Sequence, residues 1–172
     1  MGAFSLWSRA APASIVRGLT LEELVRGSHR IVTGVALESA SHWVSIGQQR
    51  RIVTDTRVKC EALLEPGRST ELIVRTYGGQ VGRIGELVQG EPQLVLGSPC
   101  LLFLCGPLEG VHYVMGMAQG HYPLRTGSGE TRYLTPSPEL PKLVNLERSA
   151  LKRLVGQRLA AARSLIEAAL RQ

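Results

Sequence analysis

From Arg51 to Leu64 the chain alternates. Ile52, Thr54, Thr56, Val58, Cys60, Ala62 and Leu64 fall on one side of an extended backbone, and Asp55, Arg57, Lys59 and Glu61 dominate the other. A helix repeats its faces every 3.6 residues and cannot present this pattern. The run is also about twice the length of an ordinary strand of about six residues. Strands this long curl around small barrels and serve both halves of the wall.

The neighbouring segments supply partners. Ile31, Thr33, Val35 and Leu37 alternate with Val32, Gly34, Ala36 and Glu38, and both sets are apolar enough for a central strand. Gly34 allows that strand to bend or another backbone to approach closely. Ser39 to Val44 continues less regularly, and Ile46 to Gln49 reads as a hairpin turn. Glu65-Pro66-Gly67-Arg68 is a turn before a third strand with Leu72, Val74 and Thr76 inward. Gly90-Glu91-Pro92 and Gly97-Ser98-Pro99 bracket a short strand, Gln93 to Leu96. Cys100 to Cys105 is almost wholly apolar and should be buried on both faces. Strands at Val111 to Met115 and His121 to Arg125 complete the set. The expected fold is mainly β with flanking helices: a small, closed or partly open, OB-like antiparallel barrel with a C-terminal amphipathic helix.

Two helices are expected. Thr20-Leu21-Glu22-Glu23 is a capping box, with Leu21, Leu24 and Val25 on one face, ready to plug a barrel end or cover a sheet edge. From Leu146 to the C-terminus, Leu151, Leu154, Val155, Leu159, Ala162, Leu165, Ile166 and Ala169 keep helical spacing. Arg148, Lys152, Arg153, Arg158, Arg163 and Arg171 colour the other face. The apolar stripe suits packing on the barrel, with a partner helix or membrane surface as the alternative. The chain thus divides into a residual signal or disordered segment (1–18), a barrel with its capping helix (19–134), a stiff Pro-rich spacer (135–145) and the C-terminal helix (146–172).

Gly78-Gly79, Gly82 and Gly85 fall close together in GGQVGRIGELVQG. The spacing invites comparison with a phosphate-cradling loop, but no Lys-Ser/Thr follows and no strand-to-helix transition with a downstream ribose acid exists. A structural loop is the better reading. Its Gly78, Gly79, Gly82, Arg83, Gly85 and Gly90, with the adjacent strand edges, are the candidate contact surface for a partner.

The chain is poor in catalytic material. Asp55 is its only aspartate, suited to a cross-strand pair, and His29, His42, His112 and His121 form no HExxH or His-x-His pattern. Cys60, Cys100 and Cys105 lack zinc spacing, so no metal or cofactor is expected. Cys100 and Cys105 share a strand and cannot bridge each other; Cys60 could reach one of them, or all three are buried fillers. A cysteine-dependent enzyme would use Cys105 with His112 as base, against the pKa-raising effect of apolar neighbours.

Ala11-Pro12-Ala13 has the form of a signal-peptidase site, preceded only by a short apolar run from Phe4 to Trp7. Residues 1–18 are either the tail of a signal that starts upstream or a plain disordered terminus. The small-residue ending favours the first, and with it export to periplasm, envelope or exterior; otherwise the chain is cytoplasmic. The formal charge is +6, with much of the excess on the C-terminal helix. No run is long enough to span a bilayer as a helix.

The order of Trp43, Thr54, Gly78, Gly79, Gly82, Gly90, Pro92, Phe103, Gly116 and Gly120 resembles a group of small exported bacterial proteins without a settled activity. The likeness covers about Ser28 to Leu124, and Gly-Gly-x-x-Gly to Gly-x-Pro is its most specific part. The barrel is similar in outline to the netrin-like inhibitor domain of tissue metalloprotease inhibitors. Those inhibitors rely on an N-terminal cysteine bridged to the barrel, and no cysteine precedes Cys60 here. The resemblance therefore implies fold and export, not protease inhibition.

Three functions are expected in descending order. The first is a non-enzymatic exported domain that binds a protein or cell-envelope component. The second is a single-stranded nucleic-acid-binding OB-type protein, disfavoured because Tyr77, Tyr113, Tyr122 and Tyr133 are scattered in sequence and Trp43 stands alone. The third is the cysteine-dependent enzyme.

Overall fold

A computed structural model of the chain describes residues 15–64 and 69–172. The readings for 1–14 and for the turn at 65–68 lie outside them. Five strands close a barrel: β2 (Arg30–Ile46), β3 (Gln49–Ala62), β4 (Ser69–Tyr77), β7 (Pro99–Leu108) and β8 (Val111–Val114). The ring runs β7-β2-β3-β4-β8 and back to β7, antiparallel throughout except for the parallel β4–β8 pair. Taken in chain order, the five barrel strands follow the Greek-key path of an OB-type barrel. β9 (His121–Thr126) and β10 (Arg132–Leu134) extend the wall beyond β7. β5 (Gly79–Val81) and β6 (Ile84–Glu86) form a separate hairpin. β1 (Ile15–Arg17) pairs in parallel with β11 (Lys142–Val144).

The alternation in β3 survives folding. Ile52, Thr56, Val58 and Cys60 are buried. The barrel interior is filled by Val32, Val58, Cys60, Val74, Cys100, Leu102, Leu104 and Val114. Cys60 and Cys100 oppose Gly34 from either side. A Cβ on Gly34 would stand 2.7 Å from Val58 Cγ1 and 2.9 Å from Cys60 Cβ, so the missing side chain is what admits both into the core. The three thiols are free, so Cys60 bridges neither of the other two. Burial pushes the Cys100 thiol up to about 12.

β7 is buried on both faces, as its apolar run requires. Its second face joins Leu101 and Phe103 to a core shared with α1 (Leu21–Arg26), α2 (Ala150–Leu154) and α3 (Leu159–Leu170). Phe103 meets the Tyr122 ring edge-on at 5.9 Å. The capping box forms as read: Glu23 N–H donates to Thr20 Oγ1 at 3.1 Å, and Thr20 N–H donates to Glu23 Oε2 at 2.8 Å. Arg153 of α2 pairs with Glu22, tying the two helices together.

Three expectations change. The C-terminal helix is not continuous: a 3-10 turn (Leu146–Arg148) leads to α2, and the chain breaks before α3. The break is held by β10, where Gly156 N–H donates to Leu134 O at 2.8 Å and Leu134 N–H donates to Gln157 O at 3.0 Å. Its apolar positions Leu154, Ala162 and Ile166 pack into the core beside β7. Gln93 to Leu96 is not a strand. It makes one isolated bridge, Ala36 to Leu96, because Pro92 lacks a donor and turns at Gly90 and Gly97 end the pairing. The spacer is not a plain spacer, since Lys142–Val144 pairs with Ile15–Arg17, inside the segment read as signal tail or disorder. Ser39 to Val44 continues the strand as expected, paired with β3 throughout, and a bulge at Leu37 shifts the register where the alternation falters.

Candidate functional site

The glycine-rich stretch folds as the β5–β6 hairpin against β2 and β3. Ser41 Oγ lies 2.9 Å from Thr54 Oγ1, which donates to Gly78 O at 2.8 Å. Gln80 N–H donates to Ser41 Oγ at 3.3 Å. The Glu86 carboxylate accepts from Ile52 N–H at 2.8 Å and pairs with Arg51. The backbone N–H first, then Arg51, holds that carboxyl below the usual range. Gly78 and Gly79 are consumed by this packing. Gly82 and Arg83 occupy the exposed hairpin tip, Gly85 faces the Gly79 carbonyl, and Gly90 is a buried turn whose carbonyl accepts from Ala118 N–H at 2.8 Å. The candidate residues therefore do not converge on one point. They form a pinned platform with an exposed tip.

The connection from Gly78 to Ser98 presents large aliphatic side chains to solvent. Leu87 is 87% exposed, Val95 63%, Ile84 57% and Leu96 51%. Beneath it, at the barrel mouth, lies a cleft of about 690 Å³. Thr56 and Thr76 line it from β3 and β4, Glu91 and Gln93 from the connection, and Glu139 from the segment before β11. Burial raises the Glu91 carboxyl above its ordinary value, and the Tyr77 N–H, 3.3 Å away, only partly offsets this.

A second cleft of about 770 Å³ lies across Gln93 and Leu94, walled by Pro99, Pro123, Pro136 and His121. Buried Ser137 stands between the two. Its Oγ lies 2.9 Å from His121 Nδ1 and donates to Glu139 Oε2 at 2.8 Å. A carboxylate only accepts, so the hydroxyl proton goes to Glu139 and the imidazole must donate to Ser137. Burial lowers His121 to about 4, against the pull of Glu139. Nothing in the proline-rich segment 135–141 signalled this chain of contacts, which only folding assembles.

The outer face of β3 and β4 is charge-paired. Arg75 grips Asp55 through Nε at 2.6 Å and Nη2 at 2.7 Å, the cross-strand role expected of Asp55. Arg57 reaches Glu38 at 2.8 Å and Glu71 at 2.9 Å. The tyrosines are not all scattered, as the sequence suggested: parallel pairing of β4 with β8 stacks Tyr77 on Tyr113 at 6.2 Å. Arg50 lies over the Trp43 ring at 5.1 Å.

Cys105 and His112 are not brought together. Cys105 opposes Tyr113, so the strand pleat turns the next residue, His112, to the other face, beside Val74. Burial also lowers the His112 pKa. Among the described residues no three His, Cys, Asp or Glu side chains gather as a metal site, and no helix is long and apolar enough to cross a membrane.

Fold and site together define an OB-type barrel with a pinned glycine hairpin and a polar cleft at one mouth. Comparison of the chain with protein-family models, curated proteins and solved structures finds no match in any of the three.

Proposed function

We infer that this chain is a non-enzymatic, exported binding domain whose β4–β7 connection docks a protein of the cell envelope. The observation that carries the reading is the exposure of Leu87, with Ile84, Val95 and Leu96, on a connection anchored through Glu86. Aliphatic side chains held out by a rigid support favour burial against a partner, at roughly 25 cal/mol per Å² of apolar surface covered. A protein suits this surface better than an anionic lipid or nucleic acid, because Glu91 and Glu139 sit in the cleft beside it with no lysine or arginine partner among the described residues. Export rests on Ala11-Pro12-Ala13.

A photo-crosslinking residue at Val95 is expected to give one discrete protein adduct in envelope extract. Excess wild-type protein should compete with it, and Leu87→Asp protein should not. No adduct, or equal competition by both, overturns the reading.

The second reading, single-stranded nucleic-acid binding, is favoured by one observation, the Tyr77–Tyr113 stack on the outer β4–β8 face. The neighbouring Arg75 is occupied by Asp55, which weakens it. Salt-dependent retention on an oligonucleotide, lost in Tyr113→Ala, would favour this reading over the first.

A further inference from the structure

The cleft under the connection carries a second, separate inference. Thr56 is 2% exposed and Thr76 7%, yet both line the cleft and neither hydroxyl bonds another protein group among the described residues. Each hydroxyl therefore turns to the open cleft, where water or a ligand completes its hydrogen bonds. Glu91 and Glu139 face the same space. Glu91 accepts a single long bond from Tyr77 N–H, and Glu139 is held by the Ser137 hydroxyl. A third carboxylate on the wall, Glu86, is neutralised by Arg51. No lysine, arginine or histidine lines the cleft, although the chain as a whole is formally +6.

This pairing of chemistries is selective. Uncompensated carboxylates repel phosphate, sulfate and carboxylate ligands and attract an ammonium group. Threonine hydroxyls both donate and accept, as do the amides of Gln80 and Gln93, so they match a ligand rich in hydroxyls. A cleft of about 690 Å³ falls within the range of small-molecule sites. We propose that the barrel mouth binds a hydroxyl-rich ligand bearing a protonated amine, the chemistry of an amino sugar. The ammonium lies against Glu91 and Glu139, and ligand hydroxyls complete Thr56 and Thr76.

Leu87 borders both the docking surface and the cleft, but the test of the cleft needs no partner. The probes are the disaccharide of glucosamine and its N-acetylated counterpart, titrated into the purified full chain at neutral pH by calorimetry and ligand-observed NMR. Saturable binding of the amine form is expected, at least tenfold tighter than the acetylated form. Glu91→Gln and Thr56→Val are each expected to weaken it at least tenfold, with Leu96→Asp, outside the cleft lining, leaving it unchanged. Glu139→Gln, on a half-buried position, serves as the second carboxylate variant should either buried substitution unfold the chain; it too should weaken binding. No saturable binding, equal binding of the two disaccharides, or carboxylate variants that bind as wild type overturns the proposal.

Discussion

Gly79 lies so close to Thr54 that a Cβ built on it would stand 2.3 Å from Thr54 Oγ1. The Ser41 hydroxyl would be 2.4 Å away, and the backbone φ of +129° is one that side-chain-bearing residues rarely adopt. Gly82, three residues on, has a φ of +60° and nothing within 4 Å of the same hypothetical atom. Gly79→Ala is therefore expected to cost about 2–4 kcal/mol from overpacking and strain. Gly82→Ala should cost about 1 kcal/mol, from its backbone conformation alone. Urea denaturation of the two variants measures the difference, and equal costs would mean that the hairpin is not packed on β2 and β3 as described.

His121 predicts a pH dependence. Burial holds it near 4 when folded, whereas in the unfolded chain it titrates near 6.5. Between those values the unfolded chain binds the extra proton, so stability falls as pH drops from about 6.5 toward 4. The window is worth at most about 3 kcal/mol by the usual conversion of 1.36 kcal/mol per unit. Glu139, through Ser137, is the charge that opposes the effect, and His112, lowered by its own burial, adds to it in the same direction. Unfolding free energies measured from pH 7 to 4 should show a shallower slope in His121→Gln than in wild type.

Thiol labelling separates the three cysteines. Cys60 and Cys100 fill the barrel, and burial raises both thiols; Cys105 lies at a half-exposed position. Iodoacetamide at neutral pH should modify Cys105 alone in the native chain and all three cysteines in denaturant. Intact-mass and peptide analysis reads the outcome. Early labelling of Cys100 would contradict the closed barrel.

The Asp55–Arg75 pair should be energetically real. Both side chains are mostly covered, and the contact is two-pronged with good geometry. A double-mutant cycle with Asp55→Asn and Arg75→Gln is expected to give a coupling of about 1–2 kcal/mol. A coupling near zero would mean that solvent replaces the contact without loss.

Some of this architecture was open to reading from residues alone. Alternation in β3 survives because side-chain direction along an extended chain is a local property of the backbone. The capping box on α1 joins neighbours three residues apart, and β7 declares its double burial by having no polar face. The C-terminal stripe carried helical spacing, yet the helix breaks after Leu154 at the Gly156 turn, which bonds to β10. Gly156, with a φ of +81°, is the local signal for this break, and the hydrogen bonds to Leu134 hold it in place.

The amino-acid sequence by itself determined the long barrel strands β2, β3, β4 and β7 and the faces they bury, because alternation and apolar runs depend on residues close along the chain. Tertiary structure alone decided that Tyr77 meets Tyr113, that His121 and Glu139 share Ser137, and that Thr56, Glu91 and Glu139 look into one cleft. These groups lie on different elements of the chain. Only closure of the barrel and the crossing of the β4–β7 connection bring them into one space, and no local periodicity encodes that distance.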